Sequence, residues 1–334
     1  MHAIPYEITE FYKRQIQKSD HYDQLKHIVE PSEKELCSPG TLDTSGELGN
    51  TVSTGLQHKY RQTALILVTN RCFSYCRYCF RRRVVAGMTE EVATDYRQIA
   101  QYIQQHTEIN NVLLSGGDPF VLSNRELHRI LDYLLPIPHI STIRIGTKGI
   151  AYSPSRFADR ELDRLFKRVI EAGKTPVIIS HFDHFAEISN AARQNIERLN
   201  AMGVQFLNQT VLLADVNDEA KVLATTFQQL HSARVRPYYL FQSRPVKGAS
   251  HFQVPLRRGV RIVQQVNRML SGIQKTFRYI MSHRTGKIEI LDVSSDNRLY
   301  LRYHQNPHVE QIGRVFSVPY VEGTCWLEEV TIDE

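Results

Sequence analysis

The chain has 334 residues, of which 42% are hydrophobic and 23% are charged, and its formal net charge is +6 at pH 7. This composition indicates a globular protein with room for one large domain and excludes a small secreted chain built on disulfides. No apolar stretch approaches the roughly 20 residues of a membrane helix, and the N-terminus lacks the apolar core of a secretion signal, so we expect a cytoplasmic protein without a membrane partner.

The N-terminal region is polar, with a helical pattern from about Glu7 to Val29 and then a loop-rich stretch with several Pro and Gly residues. These features predict a helical arm over residues 1–57. From Ala64 onwards, apolar runs alternate with helical patterns about every thirty residues, which is typical of βα units. Six such units over residues 58–272 predict an α/β body, either a partial barrel or a doubly wound sheet.

The strands of this body are predicted at residues 64–68, 112–114, 142–145, 177–179, 206–213 and 235–241. The helices are predicted at about residues 94–106, 123–135, 159–172, 186–202, 218–232 and 257–270. Residues 278–303 alternate like hairpin strands, with turn signals at Thr285-Gly286 and Asp296-Asn297. They predict a C-terminal extension over residues 273–334 rather than a seventh βα unit.

Three of the five cysteines, Cys72, Cys76 and Cys79, follow the first predicted strand within eight residues. Thiolates at this C-x3-C-x2-C spacing can bind three irons of a 4Fe–4S cubane and leave the fourth iron open for a ligand. The alternative is structural zinc, which needs four closed ligands, and no second cysteine or histidine pair has suitable spacing. We interpret Cys37 and Cys325 as structural thiols.

Gly116-Gly117-Asp118 ends the second predicted strand. Glycines allow close approach of the backbone, and a carboxylate can accept a hydrogen bond from an ammonium group. Alone, this tripeptide is typical of an ordinary turn. Its position one βα unit after the cysteines indicates a binding loop.

The cysteine segment, with an aromatic residue before its last cysteine, resembles the signature of the radical S-adenosylmethionine (SAM) superfamily, and the glycine turn resembles the superfamily motif that holds the amino group of SAM. From His58 to about Tyr303 the chain also resembles the lysine 2,3-aminomutase family. The segments that carry this resemblance are His58-Lys59-Tyr60, Ile143-Arg144-Ile145-Gly146-Thr147, Ser180-His181-Phe182-Asp183-His184, Asn208-Gln209-Thr210, Arg236-Pro237-Tyr238-Tyr239 and Gly248-Ala249-Ser250-His251-Phe252.

The resemblance implies a partial (β/α)6 radical SAM barrel whose C-terminal extension binds pyridoxal 5′-phosphate (PLP). It implies three cofactors, a 4Fe–4S cluster, SAM and PLP, and an isomerase that moves the α-amino group of an amino acid to Cβ after a radical takes a β-hydrogen. It also implies an electron donor such as flavodoxin or ferredoxin, and a homo-oligomer.

The resemblance further assigns individual residues. Lys287 matches the lysine that holds PLP as a Schiff base, and Arg81 matches the arginine that clamps the substrate carboxylate. Gln209 and His181 match positions near the adenosyl group, and Gly116, Gly117 and Asp118 match the SAM methionine site.

Two departures from the family pattern concern the substrate. Lysine mutases carry an aspartate for the distal ammonium where this chain has Arg244, and a second family aspartate is replaced around Ser282. This exchange favours an anionic side chain, so the resemblance is nearest to glutamate 2,3-aminomutases. A third departure is Thr63, where the family often has an arginine near PLP.

Three alternatives stay open from the sequence. One is isomerisation of a lysine, either free or on translation elongation factor P, and another is radical SAM chemistry without PLP. The third is a basic iron–sulfur or zinc protein that binds nucleic acid through Arg81–Arg83 or through Arg257–Arg258 with Arg261. We predict no nucleic-acid partner, because the first run is a family element and no RNA-binding module is appended.

Overall fold

The computed structural model describes residues 4–36, 38–85 and 90–327, so Cys37 lies outside the described residues. All described strands form one 12-stranded sheet whose order follows the chain. The strands are β1 Thr51–Ser53, β2 Leu56–Tyr60, β3 Thr63–Thr69, β4 Asn111–Gly116, β5 Thr142–Thr147, β6 Thr175–Ser180, β7 Gln205–Leu212, β8 Arg236–Gln242, β9 Arg278–His283, β10 Gly286–Val293, β11 Arg298–Gln305 and β12 Val315–Pro319.

The α-helices lie in the arm and between the strands of the body, and among the described residues none is both long and apolar enough to cross a bilayer. They are α1 Glu10–Gln17, α2 Tyr22–Val29, α3 Arg82–Val85, α4 Tyr96–Gln105, α5 Asn124–Leu134, α6 Gly149–Tyr152, α7 Pro154–Phe157, α8 Arg160–Glu171, α9 Asn190–Ala201, α10 Ala220–Ser232 and α11 Leu256–Met269.

The strand order decides between the two predicted architectures. Strands β3 to β8 are parallel neighbours in chain order, each followed by a helix. A doubly wound sheet would reverse its order at a switch point, whereas a barrel winds in one direction. Since β8 pairs with β9 and not with β3, the barrel is open, and the predicted partial (β/α)6 barrel is confirmed.

The predicted strands and helices of the body agree with the observed ones to within a few residues, apart from the start of the helix in the fourth unit, α9. Helix α5 shows why the sequence pattern predicted these helices correctly. Its N-cap Ser123 and Glu126 exchange hydrogen bonds in a capping box, and Leu127 and Leu131 belong to its buried face. The helix therefore has a local start signal and an apolar face that packs on the sheet.

The arm differs from the single helical pattern predicted from Glu7 to Val29. The structure has two helices, α1 and α2, with a break at residues 18–21. Each short helix buries its own apolar positions, Tyr12 and Ile16 in α1 and Leu25 among others in α2. The arm also contributes β1 and the start of β2, which were not predicted. Strand β2 pairs antiparallel with β3, and β1 pairs antiparallel with β2.

The C-terminal extension continues the same sheet. Strand β9 pairs parallel with β8, and β9 to β12 then form an antiparallel meander with the predicted turns. Strand β2 crosses the predicted boundary at residue 57, so the sheet runs through all three proposed segments. Their division at residues 57 and 272 stays a prediction.

Candidate active site

One cavity of about 320 Å³ opens at the carboxyl ends of the parallel strands and extends to β10. The loops that follow strands of one direction meet at this edge, where barrel enzymes place their sites. All the residues that the sequence singled out as site residues line the cavity: Cys72, Cys76, Cys79, Arg81, Gly116, Gly117, Asp118, His181, Gln209, Arg244 and Lys287.

The three cysteines lie on the loop between β3 and α3, and their side chains are half-buried. The N–H of Cys79 donates to the carbonyl of Cys76 at 3.1 Å, which forms a turn between the two residues. Burial raises the pKa of each thiol, that of Cys76 to about 12, and for Cys72 repulsion from Cys79 adds to it. These thiols need a bound cation to be held as thiolates.

The cysteine loop suits a cluster better than a single ion. In the described part of the chain, no three His, Cys, Asp or Glu side chains converge on one metal position. A cubane does not require that convergence, because each cysteine binds a different iron. Three thiolates without a fourth protein ligand would leave one iron open.

The glycine turn packs directly against the start of the cysteine loop. A Cβ on Gly116, where φ is +111°, would lie 2.3 Å from the carbonyl oxygen of Thr69, and one on Gly117 would lie 2.1 Å from that of Arg71. The N–H groups of Gly117 and Asp118 donate to these two carbonyls at 2.7 and 2.8 Å. The two glycines are therefore required by the close approach of two backbones.

Asp118 is occupied by donors of the protein itself. Its carboxylate accepts hydrogen bonds from the Thr147 hydroxyl at 2.7 and 2.9 Å and from the N–H groups of Phe120, Lys148 and Gly149 at 3.1, 2.9 and 2.8 Å. These bonds fill the roughly four acceptor sites of a carboxylate. Asp118 therefore ties the loop after β5 to the glycine turn, and its contact with SAM stays a prediction.

Lys287 lies on β10 with its amine inside the cavity. Its Nζ is 2.9 Å from Oε1 of Gln305, 4.5 Å from the centre of the Tyr60 ring and 5.9 Å from that of Tyr239. Burial, with repulsion from Arg144 and other cations, lowers the pKa of Lys287 to about 7. A buried amine with a lowered pKa is nucleophilic near neutral pH, as a lysine that binds PLP must be.

A second cation near Lys287 suits the phosphate of PLP. Arg144 lines the cavity, its Nε is buried without a hydrogen-bond partner, and no described carboxylate lies within 4 Å of it. An unpaired buried guanidinium is costly, and a phosphate would supply the missing acceptors. Thr63, at the position of the expected arginine, bonds to Asn111 at 3.2 Å. The described residues therefore fit PLP, with Arg144 as the available guanidinium.

Arg81 is paired within the protein. Its Nε and Nη2 lie 3.1 and 3.0 Å from Oε1 of Glu47, and its Nη1 donates to the Ser115 hydroxyl at 2.6 Å. Glu47 also pairs with Arg83 at 3.2 Å. Burial acts to raise the pKa of Glu47, but the guanidinium charges of Arg81, Arg83 and Arg244 outweigh it and lower that pKa. Glu47, which lies in the arm, thus holds Arg81 at the cavity wall.

Arg244 lacks such a carboxylate partner. Its guanidinium carbon lies 3.9 Å from the centre of the Phe80 ring, and Nη1 donates to the Ser45 hydroxyl. The guanidinium carbon of Arg81 lies 4.7 Å from the same ring. No carboxylate of the described residues is within 4 Å of Arg244, and burial lowers its pKa to about 10. A second cation therefore faces the cavity beside Arg81.

The two residues matched to the adenosyl site also reach the cavity. His181 Nε2 lies 3.1 Å from Oδ1 of Asp183 and 3.3 Å from the Tyr78 hydroxyl. The hydrogen bond with Asp183 orients the His181 ring. The Gln209 side chain makes no hydrogen bond to the described residues and is available to a ligand.

Several residues that contact the predicted site residues had no predicted role in the site. Arg144, Tyr60 and Tyr239 stand in segments that carried the family resemblance, so a signal for them existed. Glu47 and Tyr152 stand in segments without a motif. Only the fold brings these two to the cysteine loop.

The comparisons with known proteins agree with this geometry. The sequence profile of the radical SAM superfamily matches residues 66–224. A protein of Aquifex aeolicus named "Putative L-lysine 2,3-aminomutase" is 38% identical over 96% of this chain and 86% of its own length. The L-lysine 2,3-aminomutase of Escherichia coli is 32% identical over 74% of this chain and 71% of its own length. The glutamate 2,3-aminomutase of Clostridioides difficile is 33% identical over 80% of this chain and 62% of its own length.

These similarities confirm the predicted enzyme class, an isomerase, and the predicted 4Fe–4S cluster and SAM. The family implies PLP as the third cofactor. The similarities cover the barrel that carries the cysteines and most of the remaining chain. The chain belongs to the lysine 2,3-aminomutase family of the radical SAM superfamily.

Proposed function

We propose that this protein is a PLP-dependent 2,3-aminomutase for a free amino acid with an anionic side chain, of which glutamate is the simplest example. The observation that carries the proposal is Arg244, a guanidinium in the cavity without a carboxylate partner among the described residues. It lies beside Arg81, the residue matched to the clamp for the substrate carboxylate. Two adjacent guanidinium groups suit the two carboxylates of an acidic amino acid.

The acidic side chains of the cavity support the same substrate class. Glu47 and Asp118 are the carboxylates that line it in the described part of the chain. Glu47 is paired with two arginines, and Asp118 is filled by four donor groups. Neither carboxylate is free to pair with the side-chain ammonium of a lysine substrate. That ammonium would therefore lie near Arg244 without a carboxylate partner of its own.

The residues around Lys287 define what the protein does for PLP. Lys287 would hold the cofactor, Arg144 would bind its phosphate, and the rings of Tyr60 and Tyr239 shield the amine from water. When bound, PLP supplies delocalisation of an unpaired electron, which no side chain can provide. A pKa of about 7 lets the Lys287 amine exchange with the substrate amine near neutral pH.

The cysteine side of the cavity would hold the radical source. We assign Cys72, Cys76 and Cys79 as cluster ligands, and Gln209 and His181 as residues that position SAM. The electron donor, a flavodoxin or ferredoxin, and the homo-oligomeric assembly stay predictions.

Lysine is the second candidate substrate, because several relatives are named L-lysine 2,3-aminomutase. The two substrates are separated by a parallel assay of the reconstituted enzyme with glutamate, lysine and arginine, in which the β-amino acids are quantified. A pair with Arg244 contributes roughly 1.5–3 kcal/mol for glutamate, and repulsion costs lysine a similar amount. We therefore expect glutamate to be preferred at least ~100-fold, at a factor of ten for each 1.4 kcal/mol.

Arg244→Asp tests the role of this residue. It should abolish most glutamate turnover but leave SAM cleavage without substrate nearly unchanged, since Arg244 would contact only the distal end of the substrate. Arg261→Asp is the matched control, because it makes the same charge change at an exposed position of α11. Preferred turnover of lysine by the wild-type enzyme would refute the acidic substrate and leave the aminomutase assignment intact.

A further inference from the structure

A tyrosine hydroxyl lies on one of the three cysteine sulfurs. The hydroxyl of Tyr152, on α6, is 3.0 Å from Sγ of Cys76, and the Tyr152 side chain is 1% exposed. Among the described residues, no other side chain forms a hydrogen bond with the sulfur of Cys72, Cys76 or Cys79. Neither the superfamily motif nor the substrate assignment uses Tyr152.

We propose that Tyr152 is a positioning residue that donates a hydrogen bond to the Cys76 thiolate and thereby raises the reduction potential of the 4Fe–4S cluster. The inference rests on the proposed function, in which Cys76 binds iron. An iron-bound thiolate carries no proton, so the phenol must be the donor. Reduction adds an electron to the cluster, and a donor on a ligand sulfur stabilises the extra negative charge.

The fold fixes Tyr152 in this position from two sides. On one side α6 lies close to the cysteine loop, because Gly149 has no side chain: a Cβ there would be 2.6 Å from the Phe73 ring. On the other side the arm holds it, since the Thr9 hydroxyl donates to the Tyr152 carbonyl and the Tyr12 ring packs edge-on at 4.5 Å. The hydroxyl is thus held at Cys76 by packing on both sides.

The nearby cation does not replace this hydrogen bond. Lys148 Nζ lies 5.3 Å from the centre of the Tyr152 ring, but it pairs with Asp183 and Glu187, each at 2.8 Å. Its charge is therefore compensated by two carboxylates. The directed donor to Cys76 is the tyrosine.

The test is a redox titration of the reconstituted protein, followed by electron paramagnetic resonance of the reduced cluster. Tyr152→Phe keeps the ring and removes the hydroxyl, so the midpoint potential should become more negative. At a fixed potential the ratio of reduced to oxidised cluster should fall about threefold or more, which is about 30 mV at 59 mV per factor of ten. An unchanged midpoint with normal iron content would overturn the proposal.

Tyr12→Phe is the matched control. It removes another buried tyrosine hydroxyl of the same packing unit, one that bonds to Glu187 at 3.0 Å and to no cysteine. Its midpoint should equal that of the wild type, and an equal shift in both variants would show a general packing effect and sink the specific role.

A second measurement covers the case in which Tyr152→Phe loses iron. Electron–nuclear double resonance of the wild-type cluster in D₂O should detect an exchangeable deuteron coupled to the cluster, and its absence would overturn the proposal. Wild-type protein that binds no cluster after reconstitution would instead overturn the assignment of the cysteines, and with it this inference.

Discussion

Lys287 is surrounded by cations rather than by a carboxylate, and this decides how its amine behaves. Arg144, Arg244 and Lys59 all repel its charge, and burial adds the largest effect. Lys59 is itself held by carbonyls of the arm and of the turn before Lys287, at 2.7 to 3.1 Å. The positive surroundings that would bind two carboxylates and a phosphate therefore also keep the lysine reactive.

The pH dependence of PLP binding tests this environment. The neutral amine is the reactive form, and with a pKa of about 7 its fraction rises from about a tenth at pH 6 to about nine tenths at pH 8. The rate of PLP uptake by the apoprotein, followed by absorbance, should thus rise from pH 6 and level off above pH 8. A rate that still increases tenfold per pH unit at pH 8.5 would indicate a lysine with its ordinary pKa.

The position of the cofactor is tested by chemical trapping. Borohydride reduction of the protein with PLP should fix the cofactor covalently on Lys287, because its amine lies in the cavity between Tyr60 and Tyr239. A peptide map of the trapped protein is the measurement. A label on another lysine, or no label, would reject the assignment.

The cysteine assignment has its own test. Cys76→Ala should remove most bound iron and abolish SAM cleavage, because the cubane would lose one of its three thiolate ligands. Cys325→Ala is the control, since Cys325 does not line the cavity. Iron analysis and SAM cleavage are measured for both, and near-normal values for Cys76→Ala would contradict the assignment.

At the level of residues, the sequence predicted side chains that line one cavity but not the contacts between them. The cysteine spacing is a local feature that could be read directly, whereas Arg244 stood out only through the family resemblance. The partners of Asp118 and Arg81 could not be predicted, because Thr147 and Glu47 reach them through the fold.

At the level of elements, the arm holds the cysteine loop. Arg77, within the C-x3-C-x2-C segment, bonds to the carboxylate of Glu35 at 2.8 and 2.7 Å and to the carbonyls of Ile4 and Pro5 at 3.0 and 3.1 Å. Its N–H donates to the carbonyl of Ile28 at 2.8 Å. The arm thus shields one side of the loop and fixes its backbone.

Removal of Glu35 should therefore weaken both the fold and the cluster site. Glu35→Ala leaves the buried Arg77 and the adjacent Arg82 without their carboxylate, which we expect to cost about 3 kcal/mol or more in the free energy of unfolding. Urea unfolding and iron retention are the measurements. Glu33→Ala, at an exposed position two residues away, is the control. Equal stability of the two variants would contradict the role of the arm.

The accuracy of the predicted elements follows from where their signals lie. The strands and helices of the barrel carry local signals, a fully buried apolar run for β6 and an amphipathic stripe for α8. The strands β1 and β2 are short and half polar, and they become strands only because β2 pairs with β3 and β1 pairs with β2.

At the scale of the whole molecule, one continuous sheet joins the parts of the site. The barrel strands carry the cysteine loop and the glycine turn, and the meander continues the sheet to Lys287 on β10. The arm adds Glu47 beside Arg81. We therefore infer that SAM, PLP and the substrate would meet in a single cavity.

A deuterium-transfer experiment tests that claim most directly. The reconstituted enzyme is supplied with glutamate deuterated at C3, and deuterium is measured by mass spectrometry in SAM, in 5′-deoxyadenosine and in the β-amino acid product. If the cysteine loop and Lys287 serve one cavity, deuterium should move from C3 of the substrate into the adenosyl group and into the product. SAM cleavage with no deuterium in the adenosyl group, for glutamate and for equally labelled lysine, would contradict a single cavity shared by SAM, PLP and the substrate.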